Sequence, residues 1–370
     1  NYFLYFDQIT NSNLTYLRWK PATGGSEGYG TEYGGPQMSY YAVRDLGWEK
    51  VKKLDIGADI RLFNDVEITV DWFRDRRYDI FIKRNAFPSS LGYGAVKPWS
   101  PIGEAENRGL EASVKYTKAI NSDLSVSFTG NITYNENKLI NSDELNYPYA
   151  WQRSTGLPLS YQRGYIAEGL FKSQEEIDNS PVQNLGSQVM VGDIKYRDLN
   201  GDGKIDSDDQ TMISEYGTKP RLQYGFGATA NWKQWDFGFF FTGSGKRTIS
   251  IAGAADPFME ERQPRNVLTW VADNYFDPDK GNFDAAYPRL AVSQNMVQNN
   301  RVNSTFWLRN GSFMRLKNVE IGWRFPIGRI YVAGNNLLNF SSFKLWDPEL
   351  SGFWRYPIQK SVNVGVQFNL

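Results

Sequence analysis

Strict alternation of apolar and polar residues, repeated in separate runs along the whole chain, is the feature that most limits how this sequence can fold. Leu54, Ile56, Ala58, Ile60 and Leu62 alternate with Asp55, Gly57, Asp59 and Arg61. After Asn64-Asp65, the residues Val66, Ile68, Val70 and Trp72 alternate with Glu67, Thr69 and Asp71. The same period of two recurs over Leu110–Tyr116, Leu124–Tyr134, Leu222–Trp232, Trp235–Phe241, Val319–Phe325, around Ile330 and Val332, and over Val362–Leu370. A period of two is the mark of a strand with one apolar face. About nine such strands are present, most of them long enough to cross a bilayer when tilted.

The connections carry a second pattern. Breaks near 64–65, 118–122, 233–234 and 326–327 are short, whereas those near 85–104, 137–221, 245–312 and 339–359 are long, and the two kinds alternate without exception. An up-and-down transmembrane barrel has short periplasmic turns and long extracellular loops. On this assignment Tyr116, Trp232, Trp235, Trp323 and Phe368 fall near the short turns, where an interfacial aromatic girdle lies. A soluble sandwich or propeller also alternates, but its strands are shorter and its connections are not sorted by length. The expected fold is therefore all-β, an antiparallel transmembrane β-barrel with long extracellular loops. An odd count of strands does not close an ordinary bacterial barrel, so we expect the chain to supply only part of one. The opening residue, Asn1 rather than Met, also leads us to expect a piece of something longer.

Composition narrows the chemistry. Lys plus Arg and Asp plus Glu are 41 each, so no basic excess points to nucleic acid. Cysteine and histidine are both absent, which excludes thiolate or imidazole catalysis, disulfides and Cys or His metal sites within these residues. No run of eighteen apolar residues offers a transmembrane helix. Mean hydropathy of -0.53 is no argument against a membrane, because a barrel strand averages its lipid and lumen faces.

One motif carries specific chemistry. Asp198-Leu199-Asn200-Gly201-Asp202-Gly203-Lys204-Ile205-Asp206-Ser207-Asp208-Asp209 follows the twelve-residue calcium-loop spacing. Asp198, Asn200, Asp202 and Asp206 take the side-chain ligand positions, Gly203 the sharp turn, and the Lys204 carbonyl the main-chain position. Asp209 closes the loop where Glu is usual, which resembles the dockerin-type loop. A solvated acidic turn competes with this reading, since Asn-Gly and Asp-Gly favour turns, but seven matches in register favour calcium in a structural role. The loop falls inside a long connection and is expected to brace it.

Other motifs fail. Thr242-Gly243-Ser244-Gly245-Lys246-Arg247 lacks the first Gly and the final Ser or Thr of a phosphate loop. Gly225-Phe226-Gly227 has no following helix, and Glu175-Glu176 and Glu260-Glu261 do not define the spacing of a glycosidase pair. No catalytic residues are expected. Trp151, Phe258, Trp270, Trp307, Trp346 and Trp354 fall in the long connections, where they can stack on a solute or pack the loops.

Several segments together resemble one family, the SusC/RagA-type TonB-dependent outer-membrane transporters. These are Leu46-Gly47-Trp48-Glu49, Ile102-Gly103-Glu104-Ala105-Glu106-Asn107-Arg108-Gly109-Leu110-Glu111, and Gly169-Leu170-Phe171-Lys172-Ser173-Gln174-Glu175-Glu176-Ile177. Gly192-Asp193-Ile194-Lys195-Tyr196 follows ahead of the calcium-type loop, then Gly334-Asn335-Asn336-Leu337-Leu338 and Trp346-Asp347-Pro348-Glu349. They run in order from about residue 45 to 370. The resemblance implies a multi-pass barrel of about 22 strands in the bacterial outer membrane, in contact with outer-membrane lipid. This chain would supply the nine C-terminal strands over 51–370, with 1–50 as a loop region on the extracellular side. It further implies import of an oligosaccharide or peptide, with a SusD-like lipoprotein over the mouth. A plug outside this chain would couple to the TonB-ExbB-ExbD system. A siderophore or vitamin receptor, or a secreted calcium-stabilised glycan-binding β protein, are the rival expectations.

Overall fold

The computed structural model describes residues 47–86, 97–252, 268–350 and 355–368, with Val43, Gly352 and two short paired strands, Thr15–Leu17 and Glu32–Gly34. Phe258 and Trp354 lie outside the described residues, as does most of 1–46. Nine long strands form one sheet: β1 (Lys50–Leu62), β2 (Val66–Lys83), β3 (Trp99–Ala119), β4 (Leu124–Asn141), β5 (Leu222–Trp232), β6 (Trp235–Gly245), β7 (Phe313–Phe325), β8 (Gly328–Ser341) and β9 (Ser361–Phe368). Each pairs antiparallel with its neighbour in sequence, so the sheet is an uninterrupted meander from β1 to β9.

Register shows why the alternating residues matter. One slanting row joins Leu62, Val66, Tyr116, Phe128, Ala228, Phe239, Val319, Gly334 and Val362, one residue from each strand and all apolar. It runs from the turn end of β1 to the outer end of β9, the tilt expected of a barrel wall. The face so formed leaves Ile56, Trp72, Phe128, Phe239, Ile321, Val364 and others exposed. That is a lipid-facing surface. From Leu124 to Tyr134 the apolar stretch of β4 rises about 33 Å along the strand, or about 25 Å after tilt, the height of the hydrocarbon band. The row Trp232, Trp235, Trp323, Ile330 sits at the short-turn end, as expected of a girdle.

The opposite face is polar and lines the interior. Thr129, Asn131, Thr229 and Asn318 lie on it, and near the short turns Arg329 bonds both Asp236 and Glu320.

Four short turns, at 63–65, 120–123, 233–234 and 326–327, agree with the expected ones. In the first, Phe63 and Asn64 both adopt positive φ, 54° and 59°, which matches the twist of a tight hairpin. The long connections are shorter than expected: they cover 84–98, 142–221, 246–312 and 342–360, because several strands continue past the membrane. Beyond Trp72, Leu110 and Tyr134 the lipid-side positions become charged and pair across the strands, Arg74 with Glu106 at 2.6 Å, Arg76 with Glu104 at 2.8 Å and Arg108 with Glu136 at 3.0 Å. Apolar alternation stops where lipid stops, although the hydrogen-bonded ladder does not.

Because the wall faces lipid and lumen, the buried core lies elsewhere. Tyr165, Leu170, Ile194, Tyr196 and Ile205 from the first of the three longest connections pack with Ile251, Val271, Phe276, Tyr287, Val297 and Trp307 from the second, and with Phe343 from the third. Three loops thus build one folded body at the outer end of the sheet.

Candidate functional site

The outer loop body is held together by a buried polar clasp. Asp193 of the Gly192-Asp193-Ile194 segment is fully buried; its carboxylate lies 2.7 Å from Arg289 Nε and accepts from Asn300 Nδ2 at 2.7 Å and from the Met190 N–H at 2.9 Å. Burial pushes the Asp193 carboxyl up, and these partners offset the push only in part. Asn300 Oδ1 accepts the Ile194 N–H at 2.8 Å, while Asn299 Nδ2 donates to the Ile194 carbonyl at 3.0 Å. Gln183 completes the clasp, donating to Asn299 Oδ1 at 2.8 Å and accepting the Tyr196 N–H at 2.7 Å. Both main-chain groups of Ile194 are therefore satisfied by amides more than a hundred residues away, as a buried backbone requires. Asn299, Asn300 and Gln183 carried no signal in the sequence, because an Asn-Asn pair reads as a turn.

The calcium-type loop stands beside this clasp. Asp198 accepts the N–H of Gly201 at 2.7 Å and of Gly203 at 2.9 Å; Asn200 Oδ1 accepts from Asp202 N–H at 3.0 Å and Asp202 Oδ1 from Lys204 N–H at 2.9 Å. Gly201 and Gly203 have φ of 75° and 81°, where a side chain is strained. Asp206 caps the short helical turn Ser207–Asp209, and the fully buried Asp209 accepts from Leu199 N–H at 2.7 Å and Asp206 N–H at 2.9 Å. Asp209 thereby closes the ring, tying the second residue of the loop to the ninth. Lys204–Ile205 pairs in parallel with Val182–Gln183, linking the loop to the clasp. Among the described residues no three acidic side chains converge as ready metal ligands; the carboxylates here are turned to the loop's own amides.

The loop aromatics divide. Trp307 is 2 % exposed, donates Nε1–H to the Asn300 carbonyl at 2.9 Å and packs on Tyr287, so its ring offers no face to a solute. Trp270 is half-buried with its ring edge-on to Tyr287, and Trp346 meets Phe343 edge-on. Trp151 remains partly exposed, stacks on Tyr149 at 4.6 Å, and donates Nε1–H to the Asp208 carbonyl at 2.8 Å. Trp151 and the acidic loop, 57 residues apart in sequence, are thus one unit.

Asp347 of the Trp346-Asp347-Pro348-Glu349 segment fastens the third loop to the wall. Arg315, 2 % exposed near the start of β7, donates through Nη2 to both Asp347 oxygens at 2.5 and 2.6 Å, with Glu349 3.2 Å from Nε.

No protein-family model matches the chain. Among curated proteins it is similar to TonB-dependent receptor P26 of Formosa agariphila, 28% identical over 332 residues, 84% of this chain and 32% of that protein. It is also similar to the TonB-dependent receptor SusC of Bacteroides thetaiotaomicron, 24% identical over 331 residues, 83% of this chain and 30% of that protein. The chain thus spans about a third of the length of the curated relatives it matches. In fold it is similar to the solved RagAB peptide transporter, with a TM-score of 0.64 at 20% identity over 96% of this chain and 38% of that one.

Proposed function

We propose that the chain, similar over most of its length to SusC/RagA-type TonB-dependent receptors of the bacterial outer membrane, forms part of the wall and mouth of an importer of glycans or peptides. The observation that carries this reading is a sheet with a continuous lipid face and a polar inner face, topped by a folded body of loops instead of an open rim. A rigid mouth of this kind holds a ligand in place while a mobile part opens the path beneath it. In the proposed mechanism the ligand binds at the mouth under a SusD-like lipoprotein, and TonB-driven movement of a plug admits it. This chain contributes containment and recognition, and no bond-making step. The names of its relatives, receptors and a peptide transporter, support the reading.

Purification of the full-length receptor from outer membranes in detergent tests it. Recovery of a surface lipoprotein with bound oligosaccharide or peptide is the expected result. A receptor that carries neither, and whose deletion leaves uptake of both unchanged, overturns the reading.

Calcium is the second part of the proposal, with Asp198, Asn200, Asp202, Asp206, Asp209 and the Lys204 carbonyl as ligands. The bend of the loop supports it: Gly201 and Gly203 both have positive φ, and Asp209 accepts the Asp206 N–H. Bound calcium would supply the positive charge that lets these acids face one another. Calcium is expected to raise the unfolding temperature of the loop body and a chelator to lower it, with Asp202→Ala abolishing the difference. Identical unfolding with and without calcium counts against the site.

A further inference from the structure

Past the membrane rows, the inner face of the wall opens into a pocket of about 750 Å³. Register fixes its side. Asn107 is paired with Asn137, Gly109 with Asn135 and Ala105 with Arg77, all on the face opposite Trp72, Leu110 and Tyr134. Gln223 and Arg221 bound it at the start of β5, and Lys219 stands at its edge. The pocket is braced: Asn137 Oδ1 accepts the Leu159 N–H at 2.7 Å, and the Asn135 N–H donates to the Arg221 carbonyl at 2.9 Å. The side-chain amides of Asn107, Asn135 and Gln223 have no hydrogen-bond partner among the described residues.

Its charge is one-sided. The guanidinium of Arg221, 7 % exposed, lies over the Tyr216 ring at 5.0 Å, and its carboxylate neighbour Glu215 is 3.6 Å away and exposed. Lys219 is exposed and has no ion pair among the described residues. Arg77 bonds Glu49 at 2.7 Å. Glu106, the one acid in the lining, is engaged by Arg74 on the outer face at 2.6 Å.

We propose that this pocket is a subsite for a peptide bearing an acidic side chain or a free C-terminal carboxylate; the assignment rests on the import reading above and names its substrate class. Side-chain amides present a donor and an acceptor together, which matches the N–H and C=O of a peptide backbone. Guanidinium and ammonium groups take the carboxylate. The lining has no aromatic ring for a sugar to stack on. Phe73, in the row of Gly109 and Asn135, sets its ring against Gly109, where a Cβ would come within 2.5 Å of it, and stays outside the lining.

Calorimetry on the full-length receptor in detergent tests this with three ligands: a pentapeptide ending in Glu with a free C-terminus, its Gln and C-terminally amidated analogue, and a galacturonate oligomer of similar length. The acidic peptide is expected to bind at least about tenfold more tightly than its neutral analogue, a preference that Arg221→Gln removes. Because Arg221 is buried and its loss could disturb the loop, the exposed Lys219→Gln is the second variant and is expected to reduce the same preference. Asn107→Ala should weaken both peptides alike, and Phe73→Ala should leave them unchanged. Equal affinity for the acidic and amidated peptides overturns the proposal, as does galacturonate binding that falls with Phe73→Ala. If a peptide binds but ignores Lys219→Gln and Asn107→Ala, the pocket assignment falls and the import reading stands. If the receptor binds none of the three and carries no ligand of its own, both fall.

Discussion

Asn300 donates its side-chain amide to the carboxylate of Asp193 at 2.7 Å, joining two fully buried residues from different loops across 107 positions of sequence. The contact does more than link loops. Asp193 is charged only at a cost in this position, and Arg289, the Met190 N–H and Asn300 offset part of it. Replacing Asn300 by Leu leaves the Ile194 N–H without a partner and removes one of the donors to the Asp193 carboxylate, which keeps Arg289. We expect a loss of about 3 kcal/mol in the loop body. The wall strands are held by their own continuous ladder, so heat-modifiable migration on gels should persist while the loops become sensitive to protease. Simultaneous loss of both would show that the barrel depends on the clasp.

Arg315 and Asp347 allow a complementary test at the junction of loop and wall. Removing one partner of a buried pair strands the other, at about 3–5 kcal/mol. Arg315→Met should therefore destabilise more than Asp347→Asn, which keeps an acceptor for the guanidinium and leaves Glu349 in place. Equal unfolding midpoints for the two variants would argue that the pair is not what secures the third loop.

Asp143 provides the pH dependence. It accepts from Arg84 Nε at 2.8 Å and from the N–H groups of Asn85 and Ala86 at 2.7 and 3.0 Å, tying the connection after β2 to the end of β4. Burial pushes this carboxyl up, but the Arg84 guanidinium and the two amides outweigh it and hold it below the usual range. A carboxyl lowered in the folded state contributes stability above its unfolded value and loses it as pH falls through the folded one. Asp143→Asn should thus lower stability at neutral pH and flatten the fall below about pH 4. Thermal unfolding across pH 2 to 7 would show no change in slope if the contact is irrelevant.

How far the sequence could be read follows from which forces leave a local trace. Lipid on one side and water on the other impose a period of two, so Leu222–Trp232 and Trp235–Phe241 were legible as strands, and the two-residue turn at 233–234 with them. Where both sides are watery the trace fades: Arg74, Glu104, Glu106 and Glu136 belong to strands but alternate only in charge, so the apolar runs stop at Trp72, Leu110 and Tyr134 while the strands continue to Lys83, Trp99 and Asn141. The spacing of Asp198 to Asp209 was legible because a closed loop is local. The clasp was not, because Asp193 meets Asn300 and Gln183 meets Asn299 only through the packing of separate loops. Trp307 and Trp151 look alike in sequence; only the fold sends one into the core and leaves the other at the surface.

The lipid face yields the sharpest test, since position along a strand should set the cost of a charge. Phe239 lies mid-way along the apolar run of β6, whereas Trp323 stands at the short-turn end of β7, paired with Trp235. An arginine at a bilayer midplane costs about 2–4 kcal/mol, and near the interface about 0–1 kcal/mol. Phe239→Arg should therefore cut stability in lipid vesicles far more than Trp323→Arg, even though Trp323 is the larger apolar side chain. Soluble packing predicts the opposite order, because loss of the larger ring removes more buried surface. Urea titration of the folded, lipid-inserted receptor distinguishes the two. Thr229, on the inner face of β5, supplies the control: Thr229→Arg turns the same charge toward the lumen, so a penalty matching that of Phe239→Arg would refute the assignment of faces on which the barrel reading depends.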